Sequence, residues 1–246
     1  MPRDERSLEG VTAGPVPAAI AHGELEILGL LPNSSNYTFL ARARHGEEEA
    51  LAVYKPRRGE NPLWDFPEGT LCQREVAAYL VARALGWPQI PPTILREGPE
   101  GEGSVQRFIE FEPAEQYFTL LEKRPDDFRR VALFDIVVNN ADRKAGHCLL
   151  AKDGHVFVVD HGVCFNEEPK LRTVIWDFMG EPVSSELLAD LSRLRPKLEE
   201  GALRTELASL LDPAEIASTV ERLDELVARA EFPEPGPGRP YPWPVV

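Results

Sequence analysis

Asn140-Ala-Asp142-Arg143-Lys144-Ala-Gly-His147, followed after a short turn by Val156-Phe157-Val158-Val159 and Asp160-His161-Gly162, is the stretch whose residue types and spacing could do chemistry. Asp142 is a carboxylate able to orient a substrate hydroxyl. It stands five residues before His147, a candidate metal ligand, and eighteen before Asp160, a second carboxylate closing a hydrophobic run. Phosphoryl transfer asks for such a set, because it depends on positioning the acceptor and neutralising charge on the moving group. Arg143 and Lys144 would keep Asp142 ionised and could contact a transferring phosphoryl group. Asp160 would project its carboxylate toward a divalent ion bridging phosphate oxygens. Imidazole is a softer ligand than an amide oxygen, so His147 suits Mn²⁺ better than Mg²⁺. A lone His is more often structural; its fixed distance from Asp142 is what singles this one out.

A second pair stands upstream. Lys55 ends the apolar run Leu51-Ala-Val-Tyr54 and is followed by Pro56, so its side chain emerges where a strand stops, a suitable place for a phosphate-binding ammonium. Alone it would be an ordinary exposed lysine. Glu75, however, shares an i, i+4 stripe with Leu71 and Tyr79 and should face inward, where a carboxylate needs a cationic partner. Lys55, twenty residues earlier, is the natural one, against the bland alternative of a surface glutamate near Arg74 and Arg83. The turn Asn33-Ser34-Ser35-Asn36 has no glycine, yet its backbone amides and two hydroxyls could still hold phosphate oxygens. Most such clusters are simple hairpin turns.

These residues need elements to hold them. Residues 1–23 read as a flexible arm. Over 24–112 the pattern is strand-rich: Glu24 to Leu31, Tyr37 to Arg44, Ala50 to Lys55, Thr93 to Arg96 and Ser104 to Ile109 are expected strands. Among them lies a helix from Thr70, opened by a Thr-x-x-Gln capping box and stopped at Gly86. Over 113–231 helices dominate: an apolar one over Phe128 to Val138, another from Ser185, and one from Asp212-Pro213 to Ala230. The proline-dense segment 232–246 is expected to be extended and to pin Trp243 against the body. The fold class is therefore α+β and two-lobed, a small antiparallel sheet with one helix ahead of a mainly helical part.

Composition narrows the partners. A net charge of −14 over 246 residues disfavours nucleic acid and stable association with an anionic membrane, and no apolar run is long enough to span a bilayer. Between Lys123 and Lys152, however, seven Lys or Arg face four Asp, a local surplus that suits a polyphosphate or anionic substrate as well as it suits a solvated helix face. Cys72, Cys148 and Cys164 form no Cys-x-x-Cys pair, which is consistent with buried thiols and a cytoplasmic location.

With Lys55, Glu75, Asp142, His147 and Asp160 in this order, the chain resembles the atypical kinases of the phosphatidylinositol 3-/4-kinase and HipA-like group. Val105-Gln-Arg-Phe-Ile109 looks like the hinge strand of HipA-like kinases, and Asn140-x-Asp142 like their catalytic loop. Trp64-Asp65-Phe66-Pro67, Asn139 to Lys144 and Lys170-Leu171-Arg172-Thr173-Val174 also look like a family of uncharacterised actinobacterial kinase-like proteins. The resemblance, over about residues 25 to 230, implies a protein-kinase-like fold with ATP bound between the lobes. It places Gln106, Phe108 and Glu110 near the adenine, Lys55 on the phosphates, Asp142 as the catalytic carboxylate, and His147 with Asp160 on Mg²⁺ or Mn²⁺. His147 stands where the group usually has Asn, Asp160-His161-Gly162 replaces Asp-Phe-Gly, and accessory membrane-targeting domains are not expected. The expected activity is transfer of phosphate from ATP to a protein Ser/Thr or a small-molecule hydroxyl. Transfer of AMP, or a pseudokinase acting as an interaction module, are the alternatives. Lys170 to Trp176 is either an acceptor-binding face or a loop packing Trp176 onto the body.

Overall fold

The structure, a computed structural model, describes residues 16–32 and 34–246. Helix α1 (Ala18–His22) precedes strands β1 (Glu24–Leu30), β2 (Phe39–His45) and β3 (Glu48–Pro56), then helix α2 (Leu71–Leu85) and strands β4 (Thr93–Gly98) and β5 (Gly101–Arg107). The second part comprises α3 (Tyr117–Leu120), α4 (Pro125–Val137), the hairpin β6 (Cys148–Leu150) and β7 (Val156–Val158), α5 (Ser185–Glu199), α6 (Ala202–Ala208) and α7 (Pro213–Arg229). The five N-terminal strands form one antiparallel sheet in the order β1-β2-β3-β5-β4. The α+β, two-lobed, protein-kinase-like expectation holds.

Strand periodicity explains how the sheet serves the site. Ala52 and Tyr54 of β3, Ala41 and Ala43 of β2 and Val105 of β5 share a face with Ala19 and Ile20 of α1, and all are buried there. Alternation therefore sends Leu51, Val53 and Lys55 to the opposite face, toward the interlobe cleft. The expectation of a flexible arm over 1–23 is corrected at its end: Ala19 and Ile20 are fully buried, so α1 covers the back of the sheet. Residues 1–15 and Asn33 lie outside the described residues.

Helix α2 begins and ends where expected, with Gly86 in the left-handed region at φ 94°. Its cap differs. Thr70 does not cap it; the Glu60 carboxylate, eleven residues upstream, accepts from the Leu71 and Cys72 amides at 3.0 and 2.8 Å. Negative charge at orphan helix amides is favourable wherever it originates. The apolar core runs from Tyr79 of α2 through Leu133 and Phe134 of α4 to Leu194 of α5 and Leu223 of α7. Helix α2 is thus packed on the second part of the chain. Phe108 still donates to Leu51 O and Glu112 already donates to Leu150 O, so the chain crosses between the parts over residues 109–111.

The tail is extended, but Trp243 is not pinned: it is 76% exposed, with Arg239 5.5 Å from its ring. Backbone does the anchoring, since Thr173 N and Trp176 Nε1 donate to Pro240 O, and Ala145 N donates to Val245 O. All three thiols are free and buried.

Candidate active site

Lys55, at the end of β3, meets two carboxylates. Its ammonium bonds Glu75 Oε1 on α2 and donates to Asp160 Oδ1 at 3.0 Å. The inward stripe on α2 is real: Glu75 is 3% exposed, and its second oxygen accepts from the His161 amide at 2.9 Å. Glu75 therefore ties the strand lysine to the loop that carries Asp160. Burial would lower the Lys55 pKa, but Asp160 and Glu75 overcome it and hold the ammonium above its ordinary value. Burial holds the Glu75 carboxyl above the usual range against the opposing pull of Lys55. Asp160 goes the other way, Lys55 holding its carboxyl well below that range while half of the side chain stays open to solvent.

His147 follows the loop of Asp142 in a short 3-10 turn, its Nε2 3.3 Å from Asp160 Oδ2. Burial pushes its pKa down to about 4, so the ring is neutral near pH 7 and has a lone pair to offer. Its Nδ1 accepts a long 3.4 Å bond from Lys144 N. Ligation through Nε2 requires the proton on Nδ1, and gives up that bond together with the Nε2–H contact to Asp160 Oδ2. Among the described residues no three His, Cys, Asp or Glu side chains cluster to form a complete cation site. His147 and Asp160 thus fit an ion that takes one or two protein ligands and fills its shell with phosphate oxygens and water, as Mg²⁺ and Mn²⁺ do.

Asp142 stands in the loop after α4. Its amide donates to Asn140 Oδ1 at 3.0 Å, while Asn140 Nδ2 donates to Asp135 Oδ1. Lys144 donates to Asp142 Oδ2 at 2.8 Å. Burial raises the Asp142 pKa and Lys144 opposes it, which leaves a carboxylate more basic than usual.

The structure does not bring every expected residue into this group. Arg143 is corrected: it is fully buried and turned inward, held by Asp135 and by the carbonyl of Val159, and cannot touch a transferring phosphoryl group. Side chains of neighbouring loop residues point apart, so Asp142 and Lys144 face the cleft while Arg143 faces α4. Glu110 is exposed and paired with Lys152 at 2.6 Å. The Gln106 amide donates to Thr93 Oγ1 at 2.9 Å, and the Phe108 amide is taken by Leu51 O. Asn36 Oδ1 accepts from Asn61 N and Ser35 O from the Asn61 side chain, so Ser34 to Asn36 are tied to the segment after β3. Nor is the basic stretch 123–152 a free positive field: Lys123, Arg129 and Lys152 are paired with Glu115, Glu181 and Glu110. Over 170–176, Trp176 is packed in the core, and Lys170 pairs with Asp65 at 3.1 Å beneath the 92% exposed Trp64.

Sequence reasoning missed three buried polar residues. Asp135, fully buried on α4, anchors Arg143 and Asn140; its signal was a single acid within an otherwise apolar helix face. Asn139 ties down the segment after Asp160, donating to Asn166 O and Glu168 O and accepting from Lys170 N. Arg74, named above only as a neighbour of Glu75, is 1% exposed and reaches Glu215 of α7 at 2.5 Å and Cys164 O at 2.7 Å. Nothing local in the sequence distinguished it from Arg83.

Comparison with known proteins agrees with this geometry. The phosphatidylinositol 3- and 4-kinase sequence family matches residues 92–211, which include Asp142, His147 and Asp160. Protein Rv2133c of Mycobacterium tuberculosis is 38% identical, the alignment covering 92% of this chain and 94% of that protein. The chain belongs to the atypical phosphatidylinositol 3-/4-kinase-like family. Among further members of this family, phosphatidylinositol 4-kinase gamma 1 of Arabidopsis thaliana is 27% identical over 71% of the chain, which spans only 38% of that longer protein. The crystal structure of the Helicobacter pylori proinflammatory kinase CtkA shares the kinase-like fold with a TM-score of 0.52 at 12% identity, covering 86% of this chain and 94% of that one. No helix among the described residues is long and apolar enough to cross a membrane.

Proposed function

We propose that this protein is a phosphotransferase that uses ATP and a divalent metal ion, Mg²⁺ or Mn²⁺, to phosphorylate an alcohol, either a protein Ser/Thr or a small-molecule hydroxyl. The observation that carries this reading is the junction of Lys55, Glu75 and Asp160, drawn from positions up to 105 residues apart and set beside Asp142 and His147. Lys55, oriented by Glu75, is placed to bind phosphate oxygens. His147 and Asp160 would hold the ion, which supplies charge neutralisation on the polyphosphate. Asp142 orients the acceptor hydroxyl. As the hydroxyl oxygen bonds to the γ-phosphorus, the bond to the β–γ bridging oxygen breaks, ADP leaves, and the hydroxyl proton passes to Asp142. Lys144, bonded to the same carboxylate, is placed to balance charge on the moving group.

The test is the intact mass of the purified protein and of added acceptors after incubation with ATP and either ion, alongside Asp142→Ala and Asp160→Ala, with ATP consumption followed in parallel. A phosphate-sized gain or ATP turnover abolished by both substitutions supports the reading. An AMP-sized gain reassigns the chemistry to adenylylation. No turnover and no nucleotide-induced thermal stabilisation with either ion reduces the protein to a kinase-shaped binding module.

A further inference from the structure

Asp160 adopts φ 62°, a left-handed conformation that costs a non-glycine residue energy and persists only where its surroundings impose it. The surroundings here converge on one guanidinium. Arg143 Nη1 donates to the carbonyl of Val159, the residue before Asp160, at 2.8 Å. Its Nη2 lies 2.7 Å from Nε2 of His161, the residue after. A guanidinium can only donate, so His161 Nε2 accepts and the ring is neutral with its proton on Nδ1. Nδ1 itself is buried without a partner, so nothing but the bond to Arg143 and an edge-on contact with Phe134 holds the ring. Arg143 is in turn fixed by both oxygens of Asp135, at 2.9 and 3.0 Å.

We propose that Asp135, Arg143 and His161 form a positioning device that grips Asp160 from both sides and aims its carboxylate at Lys55 and His147. This assigns a reason to His161-Gly162 where an aromatic is usual after the Asp. A buried arginine beneath the loop needs an acceptor above it, and imidazole supplies one where phenylalanine would leave a guanidinium N–H unpaired. It also converts Arg143 from a substrate contact into a residue that acts through its neighbours. The inference rests on the proposed role of Asp160 as a metal ligand only for its catalytic consequence; the grip on the loop stands by itself.

The variants are His161→Phe, which removes the acceptor, and His161→Gln, whose amide oxygen can reach the position of Nε2. His161→Asn, shorter and polar, serves if the Phe variant does not fold. Hydrogen exchange of residues 159–163 in the nucleotide-free full-length protein is measured first, then the Mn²⁺ concentration required for half-maximal ATP turnover. The Phe and Asn variants are expected to lose protection over 159–163 while α7 keeps its own. Their Mn²⁺ requirement should rise by roughly 10–100-fold, the usual cost of losing a residue behind a metal ligand, and Gln should recover most of both effects. Unchanged exchange in the Phe or Asn variant, or a Gln variant as impaired as they are, overturns the proposal. If the wild-type protein neither binds nor turns over ATP, the phosphotransferase reading fails, and the exchange comparison still decides whether the grip exists.

Discussion

Two cation–carboxylate clusters lie on either side of Asp160, and they differ in closure. Around Arg143 everything is sealed: Asp135, Asn140, Val159 O and His161 take up the guanidinium and each other, and Arg143, Asp135 and His161 are fully buried. Around Lys55 the cluster is left open, with Asp160 half exposed and the lysine itself part-exposed. A sealed network can rigidify a loop but has no capacity for a ligand, whereas an open one retains oxygens and N–H groups for phosphate and metal. Under the proposed function, holding and reacting are divided between adjacent residues, Arg143 below and Asp142 and Lys144 above.

That contrast can be broken by substitution. The largest effect is expected from Asp142→Ala and Asp160→Ala, which should lower ATP turnover by about 10²–10⁴-fold while leaving the melting temperature near that of wild type; an unfolded variant would show that the open cluster is structural after all. Arg143→Met should instead strand the Asp135 carboxylate in the core at about 3–5 kcal/mol, on the order of 10 °C in melting temperature. Adding Asp135→Leu should recover much of that loss, and urea titration of the single and double variants measures the coupling.

Lys55→Met falls between the two. It should abolish turnover and destabilise by about 1–3 kcal/mol, because Glu75 stays buried but keeps its bond from the His161 amide. The pH dependence has a definite sign. Burial already raises the Glu75 pKa in the folded protein, and loss of Lys55 raises it further. A raised folded-state pKa favours folding below the unfolded value of about 4.3 and loses that contribution as pH rises through the folded value, so the deficit of the variant should be larger at alkaline than at acid pH. A pH-independent deficit would mean that Glu75 is not the stranded group. The smallest effect is expected at Lys144. Since its ammonium lowers the Asp142 pKa, Lys144→Met should move the acid limb of the pH–rate profile upward; an unmoved limb would separate Asp142 from the proton transfer.

Strands and long helices were legible because their signals are local: β2 and β3 alternate about a buried face, and Asp212-Pro213 starts α7 with standard capping chemistry. Lys55 and Glu75 were legible as a pair for a different reason, since an acid on an inward helix stripe demands a cation and one lay at a strand end. Glu60 as the cap of α2, and Trp243 as an exposed rather than pinned aromatic, were not, because each depends on where a distant segment returns.

By itself the sequence determined the strands of the five-stranded sheet, the long helices α2, α4, α5 and α7 and the candidates Lys55, Glu75, Asp142, His147 and Asp160, for periodicity, capping and charge type act within a few residues of one another. Only the tertiary structure decided which of three successive charged residues, Asp142, Arg143 and Lys144, turns inward, and it did so because the buried Asp135 carboxylate on α4 can be neutralised from one side alone. In a loop, which has no helix or strand period, direction relative to a core is a property of packing, and no spacing along the chain encodes it there.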